Sequence, residues 1–164
     1  MNKSLVYFFL IFFTLLTCKA QEGCVYNKSI FTNDFLKSSE FVYSYKWDDK
    51  EKEGSAILKN GSVLNVKRWA CNHIGTSANM MLAKEVFDVN FWKDYIKKLS
   101  VIVCGKSEIQ LINESLSKTP YDSINKNDCR KEIDVSNEMY PEFYLSVYEL
   151  EDFTVISIFY YKAP

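Results

Sequence analysis

The chain has 164 residues, of which 20 are basic, 21 are acidic and 48% are hydrophobic. This length is sufficient for one domain with its own hydrophobic core. Because the charges of both signs are interspersed and nearly balanced, the chain lacks the basic surface that nucleic-acid binding requires. We therefore expect no nucleic-acid partner.

The N-terminal 20 residues have the pattern of a secretory signal. Lys3 precedes the apolar run LVYFFLIFFTLL, and a short polar segment follows before Gln21. The apolar run is shorter than the roughly 20 residues that a transmembrane helix needs, and no later segment approaches that length. We predict a signal peptide at 1–20 and one exported domain at 21–164, in the periplasm or outside the cell, with no transmembrane span in the mature chain.

Two modes of processing remain open for this signal. The small residues Cys18 and Ala20 suit cleavage before Gln21, which would release a soluble protein. Alternatively, LLTC, which ends at Cys18, is a lipobox in which acylation of the cysteine would anchor the protein to a membrane. Since Thr17 is bulkier than the residue this position usually holds, release before Gln21 is the favoured prediction.

Four segments after the signal predict an antiparallel meander. In EFVYSYKW, aromatic residues alternate with others, which predicts a half-buried strand. The predicted aromatic face comprises Phe41, Tyr43, Tyr45 and Trp47. SAILK and SVLNVKRWAC are the next two strands, joined at Asn60-Gly61, a dipeptide that favours a type I′ hairpin turn. TSANMMLAK is predicted as the fourth strand.

The middle of the chain predicts two short helices. In NFWKDYIKKLSVIV the apolar residues form one stripe at helical spacing, namely Trp92, Tyr95, Ile96 and Leu99. In SEIQLINESL, Ser107 and Gln110 have the spacing of a capping box, which indicates the start of a second helix. The polar segment 120–127 is expected to be a loop that leads Cys129 back toward the core.

The C-terminal segments EFYLSVYEL and FTVISIFYYK predict a hairpin. Both are rich in aromatic and β-branched residues on both faces, which favours a central position in a sheet. Together these elements predict an α+β fold. It consists of an antiparallel sheet, formed by the four-stranded meander and the C-terminal hairpin, with two short helices packed on one face and disulfides that stabilise it.

Four cysteines follow the signal, namely Cys24, Cys71, Cys104 and Cys129. In an oxidising compartment, four cysteines predict two disulfides, for which three connectivities exist. Sequence does not decide among them, and our working assignment is Cys24 with Cys71 and Cys104 with Cys129. Each bond would contribute about 3 to 4 kcal/mol through loop closure.

The segment RWACNH brings Cys71 close to His73, the one histidine of the chain. A zinc site needs three or four ligands and this segment offers at most two, so we expect no metal. Thiol catalysis needs sulfur and imidazole within about 3 Å. Neighbouring residues on the same face of a strand are about 6.5 to 7 Å apart. We therefore expect a structural Cys71, and assign neither catalytic residues nor a cofactor.

Two classes of function remain. The favoured class is a non-catalytic binding domain, such as an inhibitor or immunity-type protein, that acts on a protein or cell-envelope partner, because aromatic residues often anchor interfaces. Its candidate binding surface comprises Tyr43, Tyr45, Trp47, Trp69 and His73. The alternative is a small periplasmic hydrolase that uses His73 as general base with Asp88 or Glu85. The sequence does not assign an oligomeric state.

Overall fold

The structure, a computed structural model, describes residues 25–83, 91–120 and 130–163. These residues form a seven-stranded antiparallel sheet of order β1-β2-β3-β4-β7-β6-β5. The strands are β1 Val42–Asp48, β2 Glu53–Leu58, β3 Val63–Ala70, β4 Ile74–Ala83, β5 Arg130–Asp134, β6 Glu142–Glu149 and β7 Phe153–Lys162. The helices are α1 Asp34–Lys37, α2 Phe91–Val103 and α3 Lys106–Lys118. The predicted α+β class is confirmed, whereas the predicted signal peptide lies outside the described residues.

Strands β1 to β4 pair in sequence order, as expected for a meander. The turn between β2 and β3 contains Asn60 and Gly61, but it is not the predicted type I′ turn. A type I′ turn requires positive φ at both residues, whereas only Gly61, with φ of 83°, has it. The Gly61 N–H donates to the carbonyl oxygen of Leu58 at 2.9 Å. This geometry is that of a three-residue loop with glycine in the left-handed position.

The alternation predicted for the first strand is interrupted by a β-bulge. Val42 pairs with Leu58 and Ser44 pairs with Ile57, so Tyr43 is the additional residue. Its side chain is 77% exposed. Tyr43 therefore falls outside the regular alternation of the strand and has no partner in the register of β1 with β2.

Both predicted helices are present, but the start of α3 differs from the prediction. Gly105 is the N-cap residue of α3, and no side chain caps this end. The predicted capping box is therefore wrong, since Ser107 lies inside the first turn. Its hydroxyl is 3.3 Å from the hydroxyl of Tyr140, and Gln110 Nε2 donates to Glu114 Oε1 at 2.9 Å.

Strand β7 lies inside the sheet between β4 and β6, as expected for the C-terminal hairpin. Strand β5 has no counterpart in the sequence prediction. It pairs with β6 and forms one edge of the sheet. Its sequence, RKEID, carries four charged residues in five positions and therefore lacks the apolar alternation that indicates a strand.

The helices cover one face of the sheet, and the core lies between them. The largest fully buried core residues are Leu36, Leu64, Met80, Ile96, Leu99, Ile112, Leu116, Tyr140, Phe143, Leu145, Ile156 and Ile158. None of the helices within the described part of the chain is long and apolar enough to span a membrane. The alternate residues of the strands point to the opposite side, which we call the open face. On β2, β3 and β4 this face includes exposed Ile57, Asn65, Lys67 and Asn79.

Candidate binding face of the sheet

The register of the strands aligns five uncharged polar residues across the open face. We call them the polar belt, and they are Ser55, Asn65, Asn79, Ser157 and Ser146, on β2, β3, β4, β7 and β6. The hydroxyl of Ser157 donates to Oδ1 of Asn79 at 2.7 Å. Ser146 is buried, and the other four residues present hydroxyl and amide groups that can donate and accept hydrogen bonds.

Three aromatic rings border the polar belt on one side, and we call them the aromatic strip. Phe159 on β7 lies between Trp69 on β3 and Tyr144 on β6. The centroids of Trp69 and Phe159 are 5.7 Å apart with planes at 32°, and those of Tyr144 and Phe159 are 6.5 Å apart at 24°. All three side chains are partly exposed. The strip is therefore a continuous, partly exposed surface of rings whose neighbouring planes are inclined by 24° to 32°.

The Trp69 ring lies directly over Gly75, its partner on β4. A Cβ atom at position 75 would lie 2.1 Å from atoms of the indole ring. Contact at that distance is sterically forbidden, so the absence of a side chain at Gly75 allows the ring to lie down on the sheet. The position of the aromatic strip thus depends on this glycine.

Larger apolar side chains border the polar belt on its other side. This apolar row consists of Ile57, Val63, Met81, Val155 and Tyr148 on adjacent strands. The belt therefore forms the floor of a shallow groove that crosses the strands. A cavity of about 490 Å³ lies over the part of the floor formed by Ser55, Asn65 and Asn79. This volume is within the range typical of small-molecule sites, about 300 to 1,000 Å³.

Four charged residues line the cavity, two of each sign, namely Lys46, Asp48, Glu53 and Lys67. Lys67 Nζ is 3.1 Å from Oε2 of Glu53, and both side chains are exposed. Lys46 lies at the β1 end of the belt row and Glu132 at the β5 end, where Glu132 accepts a hydrogen bond from Ser146 at 3.2 Å. The belt residues are therefore uncharged, and the charges that border the cavity balance in number.

The predicted binding surface divides between different parts of the molecule. Trp69 belongs to the aromatic strip, and the ring of His73 contacts that of Tyr161 at 4.9 Å near the same end of the sheet. Trp47 instead lies on the helix side, where its ring meets Phe35 edge to face at 5.7 Å. Tyr45 pairs with buried Ala56 on that side, and Tyr43 is at the bulge. The prediction thus identified one end of the open face and missed most of it.

The sequence analysis did not predict the polar belt or the aromatic strip, although the alternation of their residues is visible within single strands. In EFYLSVYEL, Tyr144 and Ser146 alternate, and in FTVISIFYYK, Ser157, Phe159 and Tyr161 do the same. The alternation indicates which residues share a face of one strand. It does not reveal that Ser157 lies beside Asn79, 78 positions earlier in the chain.

His73 has no described arrangement typical of a general base. It is exposed in the turn between β3 and β4. Asp88 and Glu85, its predicted partners in hydrolysis, lie outside the described residues. Partial burial raises the pKa of Tyr161, the ring that His73 contacts, and the nearby Glu142 carboxylate raises it further. The described residues contain no group of three or more His, Cys, Asp or Glu side chains able to hold a metal ion.

The two described cysteines differ in state. Cys71 is disulfide-bonded, and its partner lies outside the described residues, as do Cys24 and Cys129. Cys104 is a free thiol, so its predicted pairing with Cys129 is wrong. The reason is its position at the end of α2, where it packs against the core. Burial there raises the pKa of the thiol well above its usual range, which keeps it protonated and unreactive.

Two cations on the helix side bind helix C-termini. Arg68 Nη2 donates to the carbonyl oxygen of Val103 at 2.8 Å, and Lys93 Nζ donates to that of Leu116 at 2.8 Å. Burial lowers the pKa of both groups. Cations at helix C-termini are stabilised by the helix dipole, so these residues have structural roles.

Comparison with known proteins identified no relative of this chain. No protein family, no curated protein and no solved structure matches it. The open face is therefore the feature from which a function can be inferred.

Proposed function

We propose that the protein is a small exported, non-catalytic binding domain that presents its open face to a protein or cell-envelope partner. The observation that carries this proposal is the aromatic strip, three partly exposed rings on a sheet whose other face is occupied by the core. Exposed apolar patches rimmed by polar groups mark interaction sites. Aromatic side chains are also the residues that most often dominate binding energy. An inhibitor or immunity-type role would use such a surface.

Export of the protein is part of this proposal. It is supported by the signal-like sequence at 1–20 and by the disulfide at Cys71, because disulfides persist in oxidising compartments. Cleavage before Gln21 would release the protein, and acylation at Cys18 would anchor it. The mass of the mature N-terminal peptide distinguishes the two, since only the anchored form begins with a lipid-modified cysteine.

Cys24 is the proposed disulfide partner of Cys71. The N–H of Tyr26, two residues after Cys24, donates to the carbonyl oxygen of Cys71 at 2.9 Å. Tyr26 is thereby held beside Cys71, and one residue separates it from Cys24 in the sequence, which suits a disulfide whose Cα atoms are about 4.4 to 6.8 Å apart. Peptide mapping of the unreduced protein would detect the linked peptides, and a link from Cys71 to Cys129 would contradict the assignment.

Co-sedimentation of the purified mature protein with isolated cell envelopes of the source organism tests the proposed function. The wild-type protein should be retained, and Phe159→Ala and Tyr144→Ala should each lower the affinity about tenfold or more, because they remove contact surface. Tyr43→Ala is the matched control, since Tyr43 is an exposed tyrosine at the bulge of edge strand β1, far from the aromatic strip on β3, β7 and β6. Circular dichroism would show that each variant is folded.

Two outcomes would contradict the proposal. The first is no retention of the wild-type protein on envelopes. The second is an equal loss of retention for Tyr43→Ala and Tyr144→Ala, which would show that binding does not depend on the aromatic strip.

A further inference from the structure

We infer that the polar belt binds a neutral glycan, an oligosaccharide chain that lies across the strands in the groove of the open face. This inference rests on the proposed function and specifies the chemistry of its partner. It depends on three features of the groove, which are the spacing of its hydrogen-bonding groups, its lack of net charge, and the aromatic rings along one side.

The polar belt repeats hydrogen-bonding groups at regular intervals. Its five residues lie on five adjacent strands. Ser146 is buried, so four belt residues are open to a ligand, and because neighbouring strands are about 4.8 Å apart these four extend over about 14 Å. A chain of sugar units lying across the strands would meet one hydroxyl or amide group after another. Sugar hydroxyls, like those of serine, both donate and accept hydrogen bonds, so the groups are complementary.

The charge of the groove matches a neutral ligand. Its belt residues are uncharged, and Lys67 is paired with Glu53 at 3.1 Å beside the floor. Lys46 and Glu132, at opposite ends of the row, have opposite signs. A polyanion would need a line of cations, and the described part of the open face has none. A neutral polyhydroxylated chain needs no such line.

The walls of the groove suit the apolar side of a sugar ring. A pyranose ring presents C–H bonds on its face, and these pack against the electron-rich face of an aromatic ring. Phe159 and Tyr144 lie two residues from the belt residues Ser157 and Ser146 on the same strands, so a ring on the belt would touch both. Met81, in the apolar row, closes the opposite side.

A second copy of the protein or a peptide fits the groove less well. Protein interfaces have an apolar centre and a polar rim, whereas the centre of the open face is the polar belt and the apolar groups flank it. An extended peptide usually adds to a sheet edge, where backbone groups are unpaired. Backbone groups under the belt are paired within the sheet. The glycan is therefore the occupant that the geometry favours.

Binding of neutral sugars to the mature protein tests the inference. The probes are cellohexaose, chitohexaose, mannohexaose and the neutral polysaccharide extracted from envelopes of the source organism, titrated by calorimetry and by tryptophan fluorescence. At least one should bind, with a fluorescence change that Trp69→Phe removes. Asn65→Ala and Asn79→Ala should each weaken binding about tenfold, the effect of one lost hydrogen bond. Asn113→Ala, an exposed asparagine on α3, is the matched control and should bind as the wild type does.

The results separate this inference from the proposed function. If no probe binds while retention on envelopes depends on Phe159 and is abolished by protease treatment of the envelopes, the partner is a protein. The glycan inference would then be wrong and the proposed function would stand. If the protein forms a dimer that Phe159→Ala dissociates, a second copy occupies the groove, which also overturns the inference. If sugars bind equally well to Asn79→Ala and the wild type, the belt is not their site.

Discussion

Tyr140 links the loop before β6 to helix α3 through its hydroxyl group. The side chain is 1% exposed, and its hydroxyl donates to Oε1 of Glu108 and lies 3.3 Å from Ser107 Oγ. Burial raises the pKa of Tyr140 to about 12, and the Glu108 hydrogen bond and charge add to the effect. In the unfolded chain a tyrosine has a pKa of about 10. The neutral phenol therefore stabilises the fold below about pH 10.

This difference predicts a loss of stability at alkaline pH. As pH rises from about 10 to 12, the unfolded tyrosine ionises before the folded one, so the free energy of unfolding falls by about 2 kcal/mol. Tyr140→Phe should lower stability by about 1 kcal/mol at pH 7, because hydrogen bonds are lost. It should also make the alkaline decline shallower. Urea unfolding at pH 7, 9 and 11 measures both effects.

Tyr43→Phe is the control for this prediction, since Tyr43 is 77% exposed. Part of the alkaline decline should persist in Tyr140→Phe, because burial also raises the pKa values of Tyr160 and Cys104. If the free energy of unfolding falls with pH equally steeply for the wild type and Tyr140→Phe above pH 10, the Tyr140 hydroxyl does not contribute to the alkaline loss of stability.

At the scale of single elements, Arg68 joins strand β3 to the end of helix α2. Its guanidinium donates to the carbonyl oxygen of Val103 at 2.8 Å and lies 3.9 Å from the ring centroid of Phe35. Hydrogen bonds from charged groups contribute about 1.5 to 3 kcal/mol. Replacement of Arg68 by lysine would not preserve this contact, since the ammonium group has a different shape and stacks less well on an aromatic ring.

Arg68→Met should therefore lower the free energy of unfolding by about 2 kcal/mol. The matched control is Lys67→Met. Lys67 precedes Arg68 in the chain but points to the open face, and its exposed ion pair with Glu53 should contribute less than about 1 kcal/mol. Urea unfolding of both variants at neutral pH measures the difference. Equal effects would show that the contact of Arg68 with α2 is not stabilising.

The sequence predicts elements with strong periodicity and misses those without it. The stripe of α2 is visible in Trp92, Ile96 and Leu99, all of which are buried in the structure. Strand β5 escapes prediction because RKEID is charged, which suits an edge strand that avoids pairing with other chains. The bulge at Tyr43 is not predicted from the sequence because it changes the register of the strands without changing their composition.

The candidate site is harder to predict because it exists only at the scale of the whole sheet. The polar belt combines residues from five strands, and β4 at 74–83 pairs with β7 at 153–162. Alternation shows that Asn79 and Ser157 face one side of their own strands. Their adjacency depends on which strands pair and in what register, and this information is not local in the sequence. The open face therefore follows from the fold and not from a motif.

The two described cysteines allow a test of how the whole chain is held together. Cys71 is disulfide-bonded in the turn between β3 and β4, and Cys104 is a partly buried free thiol. Iodoacetamide applied to the untreated folded protein should not label Cys71, which has no thiol, and should label Cys104 far more slowly than an exposed cysteine, because burial raises the pKa of its thiol and keeps it protonated. After denaturation without reductant, iodoacetamide should label Cys104 but not Cys71.

Reduction should then destabilise the whole molecule without altering the Cys104 environment. Breaking the disulfide releases a loop constraint, which should lower the free energy of unfolding by about 2 to 4 kcal/mol. Cys71→Ser should reproduce that loss and should not respond further to the reductant, because it has no Cys71 disulfide to break. Cys104→Ala keeps that disulfide, so the reductant should destabilise it as much as the wild type. Mass spectrometry after labelling identifies the reactive cysteines, and urea unfolding with and without reductant measures the change in the free energy of unfolding. A labelled Cys71 in the untreated protein would mean that the N-terminal segment is held to the sheet by packing and hydrogen bonds alone, such as that between Tyr26 and Cys71.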